Sequence, residues 1–228
     1  DFEWPNRAGK WYSLVSSADL TPDPSTWPVY DDGNGPYEYI PYSGTATRTM
    51  SDLGGNGSKH FFAVIEQDAL PAVTALSENF DGADPGWTTG PNAGDSGNTL
   101  WELGDPYDGA PFGPGDPVSF YNCYGTNLLD NYGTDSDIWL RTPTIDLTDA
   151  VVARLTFQHF RDLEVGSDFD EIRVLDAGNV QLGASLATPL EGTFGTWQEV
   201  TLDLPPEALG NIVKIEFHFT SDAQDAVL

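Results

Sequence analysis

Carboxylates dominate the chemistry this sequence can offer. Thirty-six Asp and Glu face nine Lys and Arg in 228 residues, a formal net charge of −27. Spacing singles out a few of them. In "GSDFDE" and "GTDSD", Asp168 with Asp170, and Asp135 with Asp137, stand two apart, so an extended backbone projects both carboxylates of each pair to one side. Calcium takes roughly six to eight oxygens at about 2.3–2.6 Å from carboxylates, carbonyls and water, and it is the cation these pairs suit. Neither stretch matches the twelve-residue EF-hand loop. Two carboxylates also hydrolyse glycosides when they flank a sugar about 5–10 Å apart, and Glu164 with Asp168, or Asp168 with Asp170, is the pair to weigh. Spacing alone does not set that gap, and acidic loops in an acidic chain are ordinarily solvated. The expectation is a protein without a catalytic pair.

Cys123 is the only cysteine, so an internal disulfide is excluded. Nothing basic surrounds it to favour a thiolate, and a nucleophilic role needs His60, His159 or His218 in range. It reads as a buried packing residue. The three histidines lack metal-ligand spacing, and neither a His-Glu-x-x-His nor a Gly-x-Ser-x-Gly motif occurs, so zinc is not expected. Aromatic rings are the second resource. Trp87, Trp101, Tyr107, Tyr121 and Tyr124 gather between residues 85 and 125, where flat faces can stack on pyranose rings. Trp87, Trp101, Tyr107 and Tyr121 are the candidate ligand-binding residues. Trp11, Trp27, Trp139 and Trp197 sit in strand-like or core-like settings.

The elements that must position these groups are strands. "KWYSLVSS", "KHFFAVIEQ", "ARLTFQHF", "DEIRVLDA", "WQEVTLDL" and "VKIEFHFTS" are short, rich in β-branched and aromatic residues, and bounded by Gly, Pro, Asp or Asn. In "VKIEFHFTS", Val213, Ile215, Phe217 and Phe219 share one face, and Lys214, Glu216, His218 and Thr220 the other. That predicts a half-buried strand, apolar inward and polar outward. In "DIWLRTPTIDL", Ile138 and Leu140 alternate with Trp139 and Arg141 before Pro143 limits pairing. One short helical turn is expected at "PPEALGN". The fold class is therefore all-β. A break in the pattern places a linker at residues 69–76, between a domain at 1–68 and another at 77–228. The charge repels nucleic acid and anionic membrane surfaces, and no apolar run is long enough to span a membrane.

Two family resemblances follow from particular residues. Trp4, Gly9, Tyr12, Ser16, Ser17, Asp19, Leu20, Trp27, Phe62 and Val64 stand in the order seen in a small β-domain of large bacterial exported proteins. The first half resembles that domain, which implies a fibronectin-III-like sandwich used as a spacer or surface module. "ENFDG", "PGWTT", "WELGDP", "SFYNCYGTNLLDNYGTDSDIWLRTPTIDLT", "LTFQHFRDLEVGSDFDEIRV", "TWQEVTLDL" and "VKIEFHFTSD" follow in the order of the MAM-like jelly-roll domains of secreted bacterial proteins. That resemblance covers residues 77–228. It implies a structural cation at "ENFDG", which carries over to Glu78 and Asp81. Family members continue after the Ser-Asp of Ser221 and Asp222 with a strand holding Gly-Trp-Tyr-Ile-Asp-Asp-Val, which this sequence lacks. The start at Asp1 reads as that of a mature or excised segment.

The expected protein is thus two β-sandwich domains, fibronectin-III-like then jelly roll, forming a non-catalytic binding or adhesion segment of a secreted or cell-surface bacterial protein. Structural calcium is the expected cofactor, and an extracellular glycan, or other copies of the chain, the expected partner. The alternatives are a subunit of an extracellular filament or sheath completed by strand donation, and an accessory part of a secreted hydrolase.

Overall fold

The computed structural model of the chain describes residues 2–33, 36–41, 45, 47–50, 60–82, 85–96, 98–106 and 113–224. The protein is all-β. Among the described residues the helical segments are two single 3₁₀ turns, Pro24–Thr26 and Pro206–Ala208. The second lies in "PPEALGN", where the proline pair predicts it, and Gly210 closes it at a φ of 75°. No helix among the described residues is long and apolar enough to cross a membrane. The chain divides into two compact units, Asp1–Val73 and Thr74–Leu228.

The first unit holds β1 (Phe2–Pro5), β2 (Lys10–Ser17), β3 (Ile40–Pro41), β4 (Thr47–Met50) and β5 (Phe61–Asp68). β1 pairs with β4, while β2 pairs with β3 and, along its whole length, with β5. Tyr12 of β2 is buried against Trp4 and Ile40. Its hydroxyl accepts a hydrogen bond from the Arg7 amide at 2.7 Å and donates to Glu66 at 3.2 Å. One aromatic side chain thereby fixes the chain between β1 and β2 against β5.

The second unit adds β6 (Thr88–Pro91), β7 (Trp101–Gly104), β8 (Cys123–Thr126), β9 (Asp137–Arg141), β10 (Ile145–Asp146) and β11 (Arg154–His159). It continues with β12 (Asp162–Leu163), β13 (Phe169–Asp176), β14 (Ala187–Leu190), β15 (Gly192–Thr193), β16 (Gln198–Asp203) and β17 (Ile212–Thr220). Its largest sheet runs β14-β13-β17-β9-β6, with β10 also on β17. Among the described residues three two-stranded pairs accompany it: β7-β8, β11-β16 and β12-β15.

β17 is paired on both edges, by β13 on one side and by β9 and β10 on the other. Pro143 interrupts the second ladder between β9 and β10, as its missing N–H requires. Thr142 repairs the gap: its amide donates to Ile215 O, and its hydroxyl accepts from the Ile215 amide, both at 3.0 Å. The inward residues Val213 and Ile215 form a core with Ile172 and Val174, on which Leu155 and Phe157 of β11 and Leu202 of β16 pack. A second cluster joins Ile138, Leu163 and Phe219 to Trp101 and Tyr132.

The polar face of β17 departs from expectation. Glu216 and His218 are only 3% and 6% exposed. Alternation alone makes them solvent-facing, but a central strand has neighbours on both sides. Arg141 and Arg173 stand opposite Glu216, and Trp139 and Glu171 opposite His218, so long side chains close over them.

The Trp139 ring lies over Gly90 of β6, where an added Cβ would come within 2.6 Å of it. Arg141 stacks on the same ring at 3.8 Å. Strand propensity alone favours Gly90→Val. The contact predicts the opposite, a loss of about 1–3 kcal/mol from overpacking. Urea unfolding checks the sign, and a stabilised variant would remove the ring from this role.

Candidate binding surface

The acidic residues singled out by spacing or by resemblance occupy three separate settings. Glu78 and Asp81 lie ahead of β6, outside any strand. Glu78 accepts hydrogen bonds from the amides of Asn79 and Phe80, and Phe80 takes a φ of 64°. Asp81 cradles a distant loop: its carboxylate accepts from the amides of Phe120, Tyr121 and Asn122 at 3.0–3.3 Å. Desolvation pushes the Asp81 carboxyl up, but the nearby Ser119 side chain and the hydrogen bonds from these amides outweigh it and hold it below its ordinary range. The side chain of Asn122 closes the clasp onto Phe80 O, and the Ser119 hydroxyl donates to Asn122 O.

Asp168 stands immediately before β13 and Asp170 within it, and neither is set out toward solvent. Asp168 is fully buried. It accepts from the Tyr132 hydroxyl at 2.6 Å and the Asp222 amide at 2.9 Å. Burial, followed by the bond to Asp168, pushes the Tyr132 phenol well above its ordinary value. Asp170 meets His159 at 3.2 Å. Asp135 and Asp137 do not form an alternating pair, a correction to the spacing argument. Asp135 adopts a left-handed backbone at φ 51°, which breaks the period of two, and β9 begins only at Asp137. Among the described residues, no three His, Cys, Asp or Glu side chains gather into a group able to hold a metal ion.

Asp137 belongs instead to a polar network on the outer face of the large sheet. Its carboxylate lies 2.6 Å from His218 Nε2 and accepts from the Asn92 amide group at 2.7 Å. Across the strands, Arg141 donates to Glu216 at 2.7 Å, and Arg173 pairs with both Glu216 and Glu171. The Ser185 hydroxyl donates to Glu171 at 2.7 Å. Desolvation raises the Asp137 and Glu171 carboxyls. The hydrogen bonds from His218 and Asn92 to the one, and from Ser185 and Arg173 to the other, hold both below their ordinary ranges. Among the described residues, the side chains bonded to the two rings are Asp170 at His159, and Asp137 and Asn92 at His218. Burial pushes the Cys123 thiol up to about 11, which leaves it protonated and inert.

The candidate rings divide by placement. Trp87 stacks with Tyr124 and Phe217 and meets Phe80 edge-on, and Trp101 packs on the second core cluster. Both indole N–H groups are buried without an acceptor among the described residues. Both rings are half-buried and pack on their neighbours with part of their surface still open. Tyr107 lies outside the described residues. Among the described candidates Tyr121 is the one presented to solvent, 67% exposed, and beside it stands Phe120 at 89%. The spacing argument missed Phe120 because a ring in a loop carries no periodic signal. Its adjacency to Tyr121 is the clue that was available. A cavity of about 90 Å³ lined by Thr89, Asp95, Thr99, Trp101 and Ile138 has room for a few waters, far below the roughly 300–1,000 Å³ of a ligand pocket. Comparison of the chain with protein-family models and with curated proteins gave no match. A more open depression of about 250 Å³ is lined by Glu102, Asn127, Leu129 and Asp130. The described residues also present an open surface on which a carboxylate-clasped loop projects two aromatic rings.

Because the folded-state values of Asp137 and Glu171 are depressed, their contribution to stability is fully present above the ordinary carboxyl range, about pH 4. It is lost as pH falls through the folded values. Asp137→Asn removes one titrating group, so its stability falls less steeply below about pH 4 than that of the unsubstituted chain. Urea midpoints measured across that range test this; identical slopes would exclude Asp137.

Proposed function

We propose that the chain is a non-catalytic binding or adhesion segment of a larger secreted or cell-surface bacterial protein. In this reading its units are a fibronectin-III-like sandwich and a MAM-like jelly roll, and an extracellular glycan is the ligand. The all-β fold and the packing of β11 and β16 on the core of the large sheet support the sandwich reading. The observation that carries the binding role is the loop of residues 118–122. Val118, Phe120 and Tyr121 are exposed there, while three successive amides of the same loop are tied to Asp81. Exposed aromatic area normally comes with mobility. A fixed backbone presents the rings with little ordering left to do on binding, which is how pre-organised sites gain affinity. The rings centre 6.3 Å apart at 45°, an open arrangement that can meet the flat face of a sugar.

Structural calcium belongs to the same proposal, with the acidic loop residues Glu78 and Asp81 as the first donors to examine. An ion that binds only the folded state adds about 2.7 kcal/mol at a hundredfold excess over Kd. Melting in calcium is therefore expected to exceed melting in EDTA, and superimposable curves would remove the metal from the proposal.

Retention on insoluble glycans tests the binding role directly. The intact chain is expected to be held by at least one polysaccharide, and Phe120→Ala combined with Tyr121→Ala to release it by tenfold or more with an unchanged melting temperature. Equal retention of the double variant would end the assignment to this loop, and retention by no glycan would end the glycan reading.

A further inference from the structure

We infer that the Phe120–Tyr121 loop selects a cationic, amine-bearing glycan over neutral or acidic ones. The inference rests on the binding role proposed above and adds the ligand's charge. Three observations lead to it. Aromatic faces are electron-rich and attract a cation held within about 6 Å of the ring centroid. Phe120 and Tyr121 centre 6.3 Å apart, so an ammonium group seated between them is within that reach of both rings at once.

The chain also shows what its aromatic faces take when a cation is at hand. Arg141 lies on Trp139 at 3.8 Å and Arg161 on Phe194 at 4.0 Å. The exposed pair has no such neighbour in sequence, because no Lys or Arg occurs from His60 to Leu140. Both rings therefore stand in solvent, in a stretch of chain whose formal side-chain charges are all negative.

Carboxylates attend the loop itself. Asp81 is bonded to its amides, Asp105 acts electrostatically on neighbouring Cys123, and Asp116 precedes Phe120 by four residues. Asp116 is held near Trp197, whose indole N–H donates to its carbonyl oxygen at 2.8 Å. Potential of this sign repels uronate and sulfate groups and attracts protonated amines. A glucosamine polymer offers the two chemistries together: pyranose faces for the rings and ammonium groups for the field.

The test sets the intact chain against three insoluble polymers at physiological ionic strength: chitosan, its uncharged N-acetylated counterpart chitin, and calcium-gelled alginate. Retention is expected to follow chitosan over chitin by tenfold or more, with alginate lowest. A molecule of net charge −27 also adheres to a polycation by charge alone, so the deciding measurement uses variants of unchanged charge. Phe120→Ala with Tyr121→Ala loses tenfold or more on chitosan, whereas Tyr121→Trp, which keeps a flat ring, stays near the parent value. Unchanged retention of the double variant on chitosan would reduce the effect to ion exchange and overturn the inference. Equal, ring-dependent retention on chitin and chitosan would overturn the charge selection while leaving the glycan reading in place. Ring-dependent capture by polylysine beads, run as a control, without capture by any of the three polysaccharides would overturn both.

Discussion

The second unit depends on one strand being central. β17 is paired along both edges, and that position forces each of its two faces to be covered. The inward residues meet β11 and β16 through apolar packing. The outward ones, Glu216 and His218, cannot be treated in that way. Burying a charge without a partner is expensive, so the outer face must supply partners from its neighbours. Arg141 and Arg173 close on Glu216 from opposite sides, and Asp137 and Glu171 flank His218. Register and charge therefore specify one another: a one-residue slip of β9 or β13 would bring the wrong face against Glu216.

This arrangement has a consequence for an acidic chain with nine cations. Arg141 and Arg173 are committed to a buried carboxylate, and Arg154 pairs with Asp203 across β11 and β16. The second unit's loops ahead of β9 contain no Lys or Arg and hold themselves with other donors. Asp81 uses three amides, Asp95 accepts from the Asp137 amide, and Asn127 bonds Asn98 O, Asn131 O and the Leu100 amide. The Thr99 and Ser136 hydroxyls meet at 2.5 Å inside the unit. Backbone amides thus do in the loops what guanidinium groups do in the sheet. A carboxylate satisfied by amides fixes the backbone itself, which is why residues 118–122 can display large rings and still be held in place.

The strands were legible from the sequence because a period of two is local and burial rewards it. "VKIEFHFTS", "DEIRVLDA" and "ARLTFQHF" all form strands, and Ile138 and Leu140 face inward with Trp139 and Arg141 outward. The candidate site was legible only in part. Tyr121 was singled out and is exposed, whereas Trp87 and Trp101 are half-buried, since the contact available to an indole depends on which strands arrive above it. Asp135 shows the limit of alternation, because one left-handed residue cancels it.

By itself, the sequence determined an all-β chain, the inward residues of its long strands, a strongly negative charge, and the absence of an internal disulfide. Each of these follows from local periodicity or from composition. Only the tertiary structure decided that β17 is central, that Glu216 and His218 are buried, that Asp81 clasps a loop some forty residues away, and that Phe120 and Tyr121 are left to solvent. Those outcomes depend on which strands become neighbours, and pairing between distant segments is a property of the folded chain that no local pattern encodes.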